Sequence, residues 1–165
     1  MIAVGFSRGQ SWIAAAIRWL TKSSWAHCWI EYPSHTWGGR WMAHATDRGL
    51  LKELAQPKLD YWGVVVRYKA VRDITKGLEA CRGYVGKPYD FMAIAGHVVR
   101  IVGHWVTGKR MFNPSRDAAR LTCSEFVALI LKEAGVPGTE SWDSESITPG
   151  DIEALCSRSD DFHVV

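Results

Sequence analysis

The stretch Leu121-Thr122-Cys123-Ser124-Glu125-Phe126-Val127 joins a thiol to a helix start. Thr122 followed three residues later by Glu125 reads as a capping box, which makes Thr122 the N-cap and Cys123 the first helical residue. A thiolate there feels the positive end of the helix dipole, and nearby backbone N–H groups add hydrogen-bond donors. Both effects lower a thiol pKa and turn the sulfur into a nucleophile; the plain alternative is a small buried Cys opening a core helix. A nucleophilic thiol needs a base. His27 and His44 stand in two strand-like segments, AHCWIEY over Ala26–Tyr32 and RWMAHAT over Arg40–Thr46, joined by turn residues. Glu31 cannot reach His27 along its own strand, because four residues at about 3.3 Å each put them roughly 13 Å apart. Pairing the segments as a hairpin with Glu31 opposite Arg40 sets opposite charges face to face. That register also puts Trp29 opposite Met42 and His27 opposite His44 on one face, with Ile30 opposite Trp41 and Cys28 opposite Ala43 on the other.

The donors His27, Cys28, His44 and Cys123 also invite a zinc reading. Cys28 must point away from His27 on the same strand, which leaves at most three convergent ligands, so no metal and no other cofactor is expected. Gly86-Lys87-Pro88-Tyr89-Asp90-Phe91 reads as a turn and helix start capped by Asp90. Tyr89 either packs on the core or presents its hydroxyl to a site. His97 and His104 are two helical turns apart and read as the polar stripe of a helix.

These residues need elements to hold them. Ala3–Phe6 reads as a short strand and Ser11–Leu20 as a helix with Ser11 as N-cap. Gly63–Tyr68 (GVVVRY) reads as a buried strand, Ile74–Tyr84 as a helix capped by Asp73, and Phe91–Val106 as a helix. Thr107–Arg120 is loop-like and basic. Leu121–Ala134 is a strong helix that stops at Gly135. TPGDIEAL is a short helix with Thr148 as N-cap, Pro149 at N1 and Asp151 at N3. Phe162–Val165 adds an edge strand. A hairpin, further strands and separate helices make the class α+β.

Composition bounds the rest. The chain has 165 residues, 47% hydrophobic and 22% charged, with nine Trp. That is one globular domain, residues 1–165, with a core large enough to need no staple. A net charge of +3 is too small to argue for nucleic acid, and no nucleic-acid partner is expected. Charge is nonetheless uneven. Arg100–Arg120 carries five basic residues against Asp117, and Glu140–Asp161 carries seven acidic ones against Arg158. These are two solvated faces or a basic rim for an anionic substrate. The four Cys show no C-x-x-C spacing, which speaks against a zinc ribbon or a redox dithiol motif. Phe91–Val106 falls short of the roughly 20 apolar residues a membrane span needs. MIAVGFSRGQ lacks the features of a secretory signal. A soluble protein with reduced thiols is expected, cytoplasmic or delivered by a route without a leader, as for a phage-associated protein.

The ordered set is Ser24-Trp25-Ala26-His27, Ala43-His44-Ala45, Gly86-Lys87-Pro88-Tyr89-Asp90-Phe91, Thr122-Cys123-Ser124-Glu125-Phe126-Val127 and Ile147-Thr148-Pro149-Gly150-Asp151-Ile152. Together these resemble the circularly permuted branch of the NlpC/p60 superfamily, papain-like cysteine hydrolases that include the YiiX-like group. The lecithin:retinol acyltransferase-like enzymes are relatives. In that branch the His strand precedes the Cys helix. The resemblance implies a papain-like α+β fold with a small antiparallel sheet packed against helices. It also implies a Cys nucleophile, a His base and a polar orienter, matched by Cys123, His27 and His44. Many YiiX-like members carry Glu at the third position, whereas the acyltransferase relatives carry His. Tyr89 matches a recurrent Tyr that lines the site or assists the oxyanion. The implied function is cleavage of a peptide or amide bond through an acyl-enzyme, with bacterial cell-wall peptide as one substrate. The alternatives are a lipid acyl hydrolase or acyltransferase, and a non-catalytic binding module on the same fold.

Overall fold

The computed structural model describes residues 1–36, 38–62, 65–90, 96, 99, 103, 106–108 and 120–165. Among the described residues, six strands form one antiparallel sheet: β1 Ala3–Ser7, β2 His27–Pro33, β3 Arg40–Thr46, β4 Gly49–Leu54, β5 Val65–Ala70 and β6 Phe162–Val164. Their spatial order is β4-β3-β2-β1-β5-β6. The described helices are α1 Trp12–Thr21, α2 Ala55–Trp62, α3 Thr75–Ala80, α4 Cys123–Glu133 and α5 Pro149–Arg158. The α+β class read from the sequence is the class observed.

Strand alternation splits the sheet into two faces. Val4, Phe6, Cys28, Ile30, Ala43 and Ala45 are buried on one face under Phe126, Val127, Ile130 and Leu131 of α4, with α5 supplying Ile152. Burying the large apolar ones, such as Phe6, Ile30, Phe126, Ile130 and Leu131, is worth about 1.5–3 kcal/mol each, which makes this the main core. On the other face Trp29 and Met42 are fully buried and pack with Ala55, Leu59 and Trp62 of α2. Cys28 and Trp29 are neighbours in sequence and therefore sit in different layers.

Local signals account for most helix starts. Ser11 accepts from the Ala14 N–H at 3.1 Å and opens α1. Thr122 and Thr148 each form a complete capping box, with Glu125 and Asp151 respectively, and Pro149 occupies the first turn of α5. Three elements differ from the sequence reading. The helix expected over Ile74–Tyr84 runs only over Thr75–Ala80, then tightens into a 3-10 turn at Cys81–Tyr84. Asp73 does not cap it as an N-cap but binds the Thr75 N–H at 2.9 Å, while Gly83 lies within the tightened turn, where a residue of low helix propensity weakens an α continuation. β4 and α2 have no counterpart in that reading. The strand expected from Gly63 begins at Val65, and Gly63 and Val64 lie outside the described residues. So do most of the helix expected over residues 91–106, including His97, Arg100 and His104, and most of the basic segment that follows.

The hairpin register also needs correction. β2 and β3 pair Ile30↔Ala43, Glu31↔Met42, Tyr32↔Trp41 and Pro33↔Arg40, two residues away from the expected Glu31↔Arg40 alignment. A two-residue slip keeps every side chain on its face, so His27 and His44 still share one, but they are not directly opposite. The charge pair that motivated the alignment survives diagonally, with Arg40 Nε 3.6 Å from Glu31. Arg67 on β5 lies 3.5 Å from the same oxygen, so Glu31 Oε2 is flanked by two guanidinium charges but, among the described residues, accepts no hydrogen bond.

Candidate active site

The β2–β3 ladder ends at Ile30↔Ala43, although β2 continues to His27 and β3 to Thr46. Beyond that point β3 pairs with β4 alone, through His44↔Leu51, Ala45↔Leu50 and Thr46↔Gly49. The strands thus part at the His27 end. This opening lets a side chain from the α4 layer meet one from the α2 layer, which an intact sheet would keep apart.

His27 Nε2 lies 3.2 Å from His44 Nδ1. His44 is fully buried, and its Nε2 lies 2.7 Å from Glu53 Oε1 on β4. Glu53 in turn faces Lys58 Nζ at 3.4 Å. Burial and then the charge of His27 push His44 down to about 4, against the pull of Glu53, so His44 is neutral at neutral pH. A neutral imidazole has one N–H and one lone pair. The carboxylate takes the N–H at Nε2, which leaves the Nδ1 lone pair to accept from His27 Nε2–H. That fixes His27 and frees its Nδ1 to act as the base. Burial works against the charge on Glu53, but the His44 hydrogen bond and Lys58 hold its carboxyl below the ordinary value.

Aromatic rings wall in this chain. The Trp62 ring meets His27 at 5.0 Å and His44 at 5.3 Å between centroids, edge-on to both. Trp29 stacks beside His27 at 6.0 Å and donates from Nε1 to Glu31 at 3.0 Å. Room for Trp29 comes from Gly5, its register partner on β1: a Cβ there would lie 2.1 Å from the indole.

Cys123 opens α4 next to this chain and is 5% exposed. The Cys28 thiol hydrogen-bonded to it holds the Cys123 thiol well below its ordinary value despite burial, and the charge and hydrogen bond of His27 add to the effect. Burial, and the neighbouring Cys123, push Cys28 up instead. One proton is thus shared unequally between two sulfurs. The thiolate belongs on Cys123, because that sulfur has the imidazole and the helix N-terminus, while Cys28 sits inside the sheet core. The first N–H groups of an α-helix have no intrahelical acceptor. The capping box takes the Glu125 N–H at 3.2 Å, which leaves those of Cys123 and Ser124 for an incoming oxyanion.

Tyr89 is brought to the same place. It bridges to Leu121, two residues before the thiol, in parallel. Its hydroxyl lies within hydrogen-bonding reach of Cys123, and burial followed by the Cys123 charge pushes it well up, so it remains a donor. The turn before it is gripped by the start of β4: Leu50 N–H donates to Lys87 O, and Gly86 N–H to Leu50 O, both at 2.9 Å. Gly49, at φ +100°, allows this approach, since a Cβ would lie 2.5 Å from Lys87 O.

All four residues singled out in the sequence, Cys123, His27, His44 and Tyr89, therefore converge. Sequence reasoning missed Glu53, Trp62 and the contact of Cys28 with Cys123. The Asp47-Arg48-Gly49 turn between apolar runs was the available signal for β4 and hence for Glu53. Among the described residues, no group of three or more His, Cys, Asp or Glu side chains is placed to hold a metal ion.

Fold and site together define an α+β protein with a thiol at a helix N-terminus facing a His-His-Glu chain on a sheet. No protein-family description and no curated protein matches the sequence. Among solved structures it resembles YiiX of Escherichia coli O157:H7, described as a metalloprotein of the DUF1105 group. The TM-score is 0.54 at 17% identity, over 99% of this chain and 94% of that one. The likeness is one of fold, end to end.

Proposed function

We propose that the protein is a cysteine hydrolase of the permuted NlpC/p60 type that cleaves a peptide or amide bond through an acyl-enzyme. The observation that carries this reading is the unbroken chain from Cys123 through His27 and His44 to Glu53. His27 takes the Cys123 proton and the thiolate attacks the acyl carbon. The Cys123 and Ser124 N–H groups and the Tyr89 hydroxyl receive the oxyanion. His27-H⁺ then protonates the leaving amine, and water deprotonated by His27 releases the acid. His44 supports the imidazolium, and Glu53 holds His44 in the tautomer that does so. YiiX is described as a metalloprotein, but a metal at this position of the present chain fits poorly, because both His44 nitrogens are already engaged.

One observation favours a second substrate class. Helix α1 exposes two tryptophans, which suits a lipid acyl group. Incubation with cell-wall peptides and with phospholipids, followed by mass spectrometry of intact Cys123→Ala and wild-type protein, tests both. An acyl adduct on Cys123 that is absent from Cys123→Ala and from His27→Ala is expected. Turnover that survives in Cys123→Ala would overturn the reading.

A further inference from the structure

We propose that α1 is a docking surface for an anionic lipid bilayer. Globular helices normally turn polar residues to water. Here Trp12, Ala15 and Trp19, spaced to share one side of the helix, are all exposed, with Trp12 at 80% and Trp19 at 67%. Ile13 beside them is 44% exposed, and only Ala14 is buried. The one charged residue of the helix, Arg18, is tied back to the Arg8 and Gly9 carbonyls, so its guanidinium flanks the apolar stripe and does not interrupt it. Exposed indoles beside cationic side chains are the composition of a helix that lies in the headgroup region of a membrane. At ten residues, or about 15 Å, α1 lies in an interface and does not span one.

Charge selects the occupant. Residues 1–30 include Arg8, Arg18 and Lys22 and no Asp or Glu. An anionic surface complements that segment. A second copy docked through the same face would oppose like charges across a two-fold axis, which disfavours it. The position is also informative. α1 leaves β1 after Ser7 and returns to β2 at His27, and Ser7 and His27 are register partners. The docking face therefore flanks the end of the sheet that carries the imidazole chain.

The experiment is co-sedimentation of the full chain with vesicles of equal parts phosphatidylcholine and phosphatidylglycerol, beside vesicles of phosphatidylcholine alone. Wild type is expected to partition onto the anionic vesicles more strongly than onto the neutral ones. Trp12→Ala combined with Trp19→Ala is expected to weaken that partition at least about tenfold, equivalent to about 1.4 kcal/mol. Arg8→Glu is expected to reduce the preference for anionic lipid. Cys123→Ala is expected to bind as wild type does, so failure of the hydrolase reading would leave this result standing. If the double variant does not fold, Trp12→Ala alone carries the comparison. Three outcomes overturn the proposal: no partition of wild type, equal partition of the tryptophan variant, or a dimer that the tryptophan variant dissociates while wild type ignores vesicles.

Discussion

Replacing Glu53 with Gln removes a negative charge from the far end of the histidine chain and leaves an oxygen able to accept from His44 Nε2. The carboxylate lies roughly 8 Å from His27 Nε2, through contacts of 2.7 and 3.2 Å and the width of one imidazole. At an effective dielectric near 20 this separation gives about 2 kcal/mol of attraction for an imidazolium. Lys58, 3.4 Å from the other carboxylate oxygen, opposes more than half of it. Lys58 stays in place in Glu53→Gln, so the whole of that roughly 2 kcal/mol is lost, which corresponds to about 1.5 pKa units. The sign follows from the ion pair. The thiolate is stabilised by a charged His27, and His27 by Glu53, so loss of the carboxylate raises the Cys123 midpoint. Lys58→Met should lower it, by more than half as much. Glu53→Ala removes the hydrogen bond as well and frees His44 to turn. A charge-assisted bond worth about 1.5–3 kcal/mol translates to a fall of roughly 10- to 150-fold in kcat/KM. The assay needs no known substrate: iodoacetamide alkylation of Cys123 against pH, with the site assigned by mass spectrometry. An unshifted midpoint in Glu53→Gln, with no opposite shift in Lys58→Met, would refute the coupling between Glu53 and the thiol.

Cys123→Ala should abolish turnover while changing unfolding free energy by no more than about 1 kcal/mol, since a thiol and a methyl are both small and apolar. His44→Gln should retain more activity than His44→Ala, because the amide can still bond His27; kinetics beside a thermal melt of each variant check this. Gly77→Ala places a Cβ 1.9 Å from Ile130 O on α4 and should destabilise by about 1–3 kcal/mol, seen as a Tm drop of several degrees. Burial pushes Glu125 up to about 7 from an ordinary 4.5, with Glu145 and Asp90 adding to it. Between those values the folded state holds a proton that the unfolded state has lost, so stability should fall as pH rises from about 4.5 to about 7. Urea titrations of Glu125→Gln across that window should show a flatter profile.

Local chemistry made much of the fold legible. Thr122, Thr148 and Ser11 each announce a helix through a cap that uses only neighbouring residues, and all three act as read. The hairpin register was less legible, because a long Arg side chain reaches a carboxylate diagonally as readily as directly, and Glu31 takes a second Arg from β5. The face assignment survived because a slip of two preserves it. α2 was hidden by Pro57, which breaks helices in their interior but is tolerated here in the first turn. Glu53 could not be identified as part of the site until β4 was placed beside β3. The contact of His27 with Cys123 depends on the parting of β2 from β3, which no pairwise alternation pattern encodes.

That parting has a consequence for how the protein acquires its reactivity. His27, His44 and Glu53 sit on three consecutive strands, separated along the chain by 17 and 9 residues. Short closures of this kind form early and cost little loop entropy. Cys123 arrives from the second half of the chain, and only the docking of α4 against β2 brings its sulfur to the prepared imidazole. Until that long-range step, the thiol on a nascent or partly folded chain has nothing to ionise it and reacts as any cysteine does. Fast alkylation at Cys123 is therefore a clock for the docking of α4, readable in a pulse-labelling experiment during refolding.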